Sequence, residues 1–453
     1  MELTPKRERL LLVAVMSGLL LAMLDQTIVG TALPTIVAQL GGSDLYVWAV
    51  TAYLVPATVS LPIYARLSDR YGRRALLLTG MTIFLTGSAL GAAAQSMEQL
   101  IAFRALQGLG AGALEGLSFI LVADLFQGKR SAALQGVMAA LMGVSFIIGP
   151  LIGGFLADTT GWRWVFLVNV PIGLAALAVV ATVLPATIGR GEDRRTPLDL
   201  AGIALLTLAI GLVLVGLSER EAAYVVAGVL PLIAFILVER RAAAPVIPPS
   251  LFRERKTAGI LVAGGFGAFG LFASVLLLPL YFQRVEGASA THSGLLIYPL
   301  LVGLIVSVNI AGTVIMRRGE YRTTVLAGLV LLTLGALGFA TFDAGTPKWE
   351  SLTFMALIGL GVGPQLSGLQ IAMTRTIAPQ MIGAGLGTLL LLRQLGASVA
   401  LAGAETLYIR GDDPATATGG AIVVIALIGV VVAGAALLSV PRLATRLPVL
   451  VRG

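Results

Sequence analysis

The sequence lacks most of the residues that build enzyme and metal sites. It has no cysteine, which excludes disulfides and thiolate metal sites, and its one histidine, His292, cannot form a metal site alone. Only 12% of the 453 residues are charged, about half the share of an ordinary soluble domain. We also find no phosphate-binding Gly-Lys-Ser/Thr loop and no Ser/His/Asp set at plausible depth. We therefore expect neither an enzyme nor a resident metal or organic cofactor.

Apolar residues are correspondingly abundant. They make up 57% of the chain, and the mean hydropathy is +0.95. This excess must face lipid, because a soluble surface could not accommodate it. The net charge of +8 could indicate nucleic acid, but the basic residues stand in small groups between apolar runs, as the positive-inside rule requires. The sequence thus predicts a multi-pass membrane protein with no nucleic-acid partner.

Fourteen apolar runs are long enough to cross a bilayer, which takes about 20 helical residues. They lie at residues 10–38, 45–65, 75–95, 98–124, 131–157, 164–186, 198–217, 222–239, 257–282, 292–316, 321–342, 350–374, 380–407 and 419–440. The eighth is the shortest. The first is too long for a signal peptide and has no convincing cleavage site, so we expect a retained span.

The distribution of Lys and Arg predicts the orientation. Most of them fall on one side of the membrane if both termini are cytoplasmic. Arginine greatly outnumbers lysine, a bias common in GC-rich bacterial genomes, and we expect a bacterial inner membrane. A faint repeat relates residues 65–74 to residues 312–319. We therefore predict an all-α membrane protein with a six-helix bundle over 1–187, a linker with two inserted helices over 188–256, and a second six-helix bundle over 257–453.

One carboxylate lies deep in the first predicted span. Asp25 is about 22 Å from the cytoplasmic end at 1.5 Å per residue. A charge at such a depth is costly, and protonation would neutralise it, so Asp25 is a candidate proton carrier. The alternative is a static buried ion pair. Arg104 and Arg393 lie at compatible depths, and we favour Arg393 as the partner although the sequence does not decide between them.

A second acid, Glu115, falls within the fourth predicted span. It is nearer the cytoplasmic side than Asp25. We expect it either to carry protons or meet a cationic substrate, or else to hydrogen-bond to neighbouring helices without titrating in the cycle.

Several segments form a recognisable series along the chain. They are residues 24–29 with 32–34, 67–74, 104–112, Gly143 with 149–154, 162–166 with 169–171, and 393–396. In this order they resemble the motifs of the fourteen-helix drug:proton antiporter branch of the major facilitator superfamily. Gly30, Ala65 and Met316 stand where that family usually has Asn, Gly and an acid. The last departure leaves only the N-terminal charged segment able to form a complete latch.

The resemblance implies the major facilitator fold, alternating access and protons as the coupling ion. It also implies that the charged segment 67–74 latches neighbouring cytoplasmic helix ends. A carboxylate there can accept hydrogen bonds from a helix N-terminus, and the arginines can pair with Asp124. The alternative is simple topological anchoring. The latch residues are Asp69, Arg70, Gly72, Arg73, Arg74 and Asp124.

The fifth predicted span combines a proline with small residues. Pro150 interrupts the helical hydrogen bonding, and glycines give a small-sided face that permits close helix approach and a bend. The alternative is close packing without a hinge. The glycines are Gly143, Gly149, Gly153 and Gly154.

The substrate is less clear from the sequence. The helices expected to line the cavity offer aromatic rings and few polar groups, which suits a hydrophobic or amphipathic ligand. Each of these side chains is individually more typical of packing than of contact with a ligand. The tentative cavity residues are Phe266, Phe269, Phe272, Gln365 and Gln370.

These observations favour a monomeric, proton-coupled antiporter that exports small molecules. The nearest alternative is a proton-driven lipid or glycolipid exporter on the same fold. A membrane-embedded enzyme would need a catalytic cluster that the sequence does not contain. A sensor without flux usually carries an added soluble domain, and no connection here is long enough for one.

Overall fold

The computed structural model describes residues 4–42, 45–126, 128–186, 188, 199–219, 221–243, 245–288, 293, 295–318, 321–342, 345–378 and 381–439. Within these ranges, thirteen helical segments are long and apolar enough to cross a membrane. A further helix, Gly128–Thr159, stands where the fifth span is predicted. The predicted all-helical membrane fold is confirmed. His292 and the predicted domain boundary at residue 187 lie outside the described residues.

The helices agree closely with the apolar runs. They are α1 Pro5–Leu40, α2 Tyr46–Tyr71, α3 Arg73–Ala93, α4 Met97–Leu125, α5 Gly128–Thr159, α6 Arg163–Leu167, α7 Asn169–Val183, α8 Leu200–Glu219, α9 Ala222–Glu239, α10 Ser250–Arg253, α11 Arg255–Phe266, α12 Phe269–Arg284, α13 Tyr298–Arg318, α14 Arg322–Gly338, α15 Lys348–Gly363, α16 Leu369–Thr376, α17 Ile382–Ile409 and α18 Pro414–Leu438.

The charged segment 67–74 is almost entirely helical and contains a junction of one residue. Helix α2 continues to Tyr71 and α3 begins at Arg73, so only Gly72 is non-helical. Gly72 has a φ of 92°, a conformation that favours glycine, and its N–H donates to the Ser68 carbonyl at 3.0 Å. The charged side chains therefore stand on helix ends, where their positions are fixed by the backbone.

Two predicted spans contain breaks that the apolar pattern does not reveal. In the ninth span, α11 ends at Phe266 and α12 begins at Phe269. In the twelfth span, a π-turn at Pro364–Gly368 separates α15 from α16. Irregular backbone at membrane depth is tolerated where protein buries it, and it often marks a functional position.

The chain divides into two compact units. The first comprises Met1–Asp124, Val144–Pro249 and Gln380–Leu391, and the second comprises Leu125–Gly143, Ser250–Pro379 and Leu392–Gly453. In the first, α1 packs on α7, α2 on α8, and α8 on α9. In the second, α15 packs on α13 and α14, while α18 packs on α11 and α12. Since α5 and α17 are each divided between units, the predicted boundaries at 187 and 256 stay a prediction.

Candidate functional site

Asp25 is the centre of a buried polar network in the first unit. Its side chain, on α1, is fully buried, and Arg104 on α4 donates to Oδ2 and forms an ion pair with it. The other oxygen, Oδ1, accepts hydrogen bonds from Gln107 Nε2 at 2.8 Å and Asn169 Nδ2 at 2.9 Å. The carboxylate thus has one cationic and two neutral donors, which is how a buried charge is stabilised.

The two amide donors are held in place by a shared hydroxyl. Ser88 Oγ accepts from Gln107 Nε2 at 3.0 Å and from Asn169 Nδ2 at 2.9 Å, and it donates to the Phe166 carbonyl at 3.1 Å. Because the same amide nitrogens also serve Asp25, neither side chain can rotate without losing two bonds. Helices α1, α3, α4 and α7 all contribute to this network.

Arg104 also has partners that do not depend on Asp25. Its Cζ lies 4.1 Å from the centroid of the Tyr53 ring, a favourable cation–π geometry. Its Nη1 donates to Gln107 Oε1 at 2.9 Å and its Nε to the Ala49 carbonyl at 3.4 Å. The Tyr53 hydroxyl donates to the Ala22 carbonyl at 2.8 Å, which fixes the ring against α1.

We expected Arg393 to pair with Asp25, but in the structure Arg104 forms that ion pair. The physical reason is that α4 presents Arg104 and Gln107 one turn apart on one face, so both reach the same carboxylate. Arg393 is a buried residue of α17 in the second unit, where its Nη2 donates to the Leu366 carbonyl at 3.2 Å.

Glu115 is buried on α4, with 4% of its surface exposed. It follows Arg104 by eleven positions, which places it roughly 16 Å further along the helix axis. Its role in proton transfer stays a prediction.

A second charged cluster lies at the junction of α2 and α3. Arg73, 5% exposed, forms ion pairs through Nη1 with Asp69 at 2.6 Å and through Nε with Asp124 at 2.9 Å. Its Nη1 also donates to the Ser68 hydroxyl. One guanidinium thus connects the ends of α2, α3 and α4. The expected pairing of an arginine with Asp124 is made by Arg73.

The neighbouring residues have other contacts. Arg74 donates to the Ala181 carbonyl at the end of α7, and the Arg70 guanidinium stands 5.3 Å from the Tyr71 ring centroid. A Cβ on Gly383 would lie 2.8 Å from Asp69 Oδ1, so the Asp69 carboxylate abuts the first turn of α17. A helix N-terminus stabilises negative charge at such a position. The latch function of this cluster stays a prediction.

The α5 glycines differ from one another in their surroundings. A Cβ at Gly149 or Gly153 would overlap Thr27 or Thr31 of α1, whereas one at Gly154 would meet nothing within 4 Å. In the second unit, a Cβ at Gly143 would lie 2.7 Å from Leu304 Cδ2. Close packing therefore involves three of the four predicted glycines.

Helix α5 runs without interruption through Pro150, whose side chain is outside the described part. The predicted hinge stays a prediction.

The tentative cavity residues all belong to the second unit. Phe266 and Phe269 flank the α11–α12 break with ring centroids 4.9 Å apart, and Phe272 is half-buried. Gln365 and Gln370 are buried on the π-turn and on α16. Their contact with a substrate stays a prediction.

Sequence reasoning missed the neutral ligands of Asp25. Gln107 had a detectable signal, because it follows Arg104 by three positions and so shares its face. Asn169 and Ser88 had none of that kind, since their convergence depends on how α3 and α7 pack against α1 and α4.

Comparison with known proteins gives consistent results. The Major Facilitator Superfamily model matches residues 15–401. Multidrug transporter protein MdtP of Bacillus subtilis (strain 168) is 34% identical over 394 residues, which cover 84% of this chain and 72% of that protein. Multidrug resistance protein 3 of the same organism is 34% identical over 392 residues, covering 84% and 75%. The crystal structure of the human organic anion transporter MFSD10 (TETRAN) aligns with a TM-score of 0.68 at 19% identity, covering 95% of this chain and 100% of that one, which is a similarity of fold.

Proposed function

Because the chain belongs to the Major Facilitator Superfamily, we propose that it exports hydrophobic or amphipathic small molecules in exchange for protons, by alternating access. The membership makes it a multi-pass membrane transporter. The direction and the substrate class are proposed from the two Bacillus subtilis relatives, which are named for multidrug transport and resistance. The proposed location is a bacterial inner membrane with both termini in the cytoplasm.

The observation that supports proton coupling is the Asp25–Arg104 pair inside the membrane-spanning helices. An ionised carboxylate in that environment depends on its cation, and losing one partner of a buried pair is strongly destabilising. Uptake of a proton removes the negative charge and hence the need for that partner. One charge moving through 100 mV supplies about 2.3 kcal/mol, enough for useful accumulation of substrate.

Arg104 keeps other partners when Asp25 loses its charge. The Tyr53 ring, Gln107 Oε1 and the Ala49 carbonyl all remain as partners of the guanidinium. In the proposed cycle, a proton from outside neutralises Asp25, weakens its link from α1 to α4, and favours the inward-open state. Substrate arriving from the cytoplasm or inner leaflet then promotes release of the proton.

Other charged residues have supporting roles in this proposal. Glu115 is the second intramembrane acid and is proposed to carry protons nearer the cytoplasm. Arg393 is proposed to contribute to coupling from the second unit. The Asp69–Arg73–Asp124 cluster is proposed to hold cytoplasmic helix ends together in the outward-open state.

The proposal is tested in inverted membrane vesicles with an imposed proton gradient. We expect the unsubstituted protein to accumulate tetraphenylphosphonium and Asp25→Asn to lose gradient-driven uptake. Asp158→Asn, which alters an exposed acid at the end of α5, is the control and should retain uptake. Undiminished uptake by Asp25→Asn would remove Asp25 from the mechanism.

A further inference from the structure

The two interrupted spans of the second unit meet at one side chain. Gln365, on the π-turn, donates from Nε2 to the Val325 carbonyl at 2.9 Å. Its Oε1 lies 2.9 Å from where a Cβ on Gly267 would be, so it occupies space that glycine leaves at the α11–α12 break. Discontinuous helices of transporters commonly form binding sites at such breaks.

Gln370 is a fully buried amide, with 0% of its surface exposed. Among the residues that the structure describes, neither its Oε1 nor its Nε2 has a hydrogen-bond partner, and Gln365 Oε1 has none either. Buried amides are almost always satisfied in native proteins, because leaving one unpaired is destabilising. Nearby Ser367 differs, since its hydroxyl has both the Val308 and Gly363 carbonyls within 3.2 Å.

The π-turn explains how the two glutamines can act together. Residues five positions apart on a regular α-helix face different directions. A wider i→i+5 turn, such as the one at Pro364–Gly368, reduces the angle between positions five apart, which favours a common face for positions 365 and 370. The π-turn therefore affects which side chains share a helix face, in addition to the local backbone.

We propose that Gln365 and Gln370 form a subsite for an uncharged part of the exported molecule that offers two hydrogen-bond donors and one acceptor, such as a carboxamide or an amide beside a hydroxyl. This inference rests on the proposed export function. The ligand group donates to Gln365 Oε1, and it both donates to and accepts from the Gln370 amide. The half-buried Phe266, stacked on Phe269 beside the break, supplies an apolar wall for the rest of the molecule.

The charges around the π-turn disfavour a cationic group at this subsite. The Arg393 guanidinium donates to the Leu366 carbonyl within the turn itself. A fixed positive charge so close repels a cation in a medium of low dielectric constant. A neutral amide has the required donor and acceptor without that penalty, so the subsite distinguishes neutral polar substrates from lipophilic cations.

Binding to the purified protein in nanodiscs tests this subsite with two probes. Chloramphenicol is neutral and carries amide and hydroxyl groups, whereas tetraphenylphosphonium is a cation with no hydrogen-bonding group. We expect Gln370→Met to weaken chloramphenicol binding about tenfold or more and to change tetraphenylphosphonium binding less than about twofold. Because Met fills a similar volume without orphaned polar atoms, we expect the melting temperature to stay the same or rise.

The matched control is Ser367→Ala, on the same turn. It should lower the melting temperature, because it removes a hydroxyl that the protein itself satisfies, and leave the ratio of the two affinities unchanged. A lower melting temperature in Gln370→Met would mean that the amide has a structural role, and equal losses for both probes would mean general damage. Either result, or unaltered chloramphenicol binding, or no chloramphenicol binding by the unsubstituted chain, would overturn the subsite.

This result is separable from the test of export. A chain that binds chloramphenicol through Gln370 but accumulates nothing in inverted vesicles would contradict the proposed function and keep the subsite. A chain that accumulates tetraphenylphosphonium normally but whose chloramphenicol binding is unchanged by Gln370→Met would support the proposed function and contradict the subsite.

Discussion

Arg104 and Gln107, one turn apart on α4, donate to different oxygens of the same Asp25 carboxylate. This arrangement fixes both the position and the orientation of the acid, because each oxygen has its own donor. It also couples α1 to α4 through a group whose charge one proton can remove. The stability of the first unit should therefore depend on Asp25 and Arg104 jointly.

Neutralising the two members of this pair should have non-additive effects. Arg104→Gln leaves a buried carboxylate without its cation, and we expect a loss of about 3–5 kcal/mol. Adding Asp25→Asn to that variant removes the orphaned charge and should recover much of the stability. The measurement is thermal unfolding followed by the fluorescence of the four tryptophans. Strictly additive losses in this double-mutant cycle would show that the pair is not energetically coupled.

Arg73 and Arg74 should respond differently to replacement by lysine. Arg73 uses separate nitrogens for Asp69 and Asp124, which one ammonium group cannot reproduce, whereas Arg74 makes one contact to the Ala181 carbonyl. We expect Arg73→Lys to lower stability by about 1–3 kcal/mol and to reduce efflux of tetraphenylphosphonium from cells. Arg74→Lys should be nearly silent. Equal effects of the two substitutions would contradict a specific role for the Arg73 bridge.

Alanine scanning along α5 should separate packed glycines from a free one. Gly149→Ala and Gly153→Ala introduce a methyl group into Thr27 or Thr31 of α1, and we expect each to cost about 1–3 kcal/mol. Gly154→Ala meets nothing within 4 Å and should be neutral or stabilise the helix by about 0.5–1 kcal/mol. Melting temperatures of the three variants in one detergent are the readout. A destabilised Gly154→Ala would contradict this account of α5.

The sequence was sufficient for the spans and for the depth of the main charged residues. Apolar length identifies a membrane helix directly, and a buried Asp25 requires a cation at a similar depth. It was not sufficient to choose between Arg104 and Arg393, because both satisfy that requirement. The choice depends on which helices pack around α1, and the one-turn spacing of Arg104 and Gln107 was the available clue.

The backbone irregularities were not predictable from hydropathy. The ninth span reads as one apolar run, yet its helix is interrupted after Phe266. The apolar pattern of the twelfth span likewise does not indicate the π-turn at Pro364–Gly368. Both features depend on neighbouring helices that accept or replace backbone hydrogen bonds. Only the structure shows that the buried amides of Gln365 and Gln370 have polar atoms unpaired within the described part of the chain.

Proton release on substrate binding tests the central claim most directly. Saturating tetraphenylphosphonium is added to the purified protein in weakly buffered detergent solution, and a pH-sensitive dye reports the protons released. The account predicts proton release by the unsubstituted protein and its loss in Asp25→Asn, with Asp158→Asn behaving as the unsubstituted protein. Equal release from Asp25→Asn and the unsubstituted protein would contradict the account.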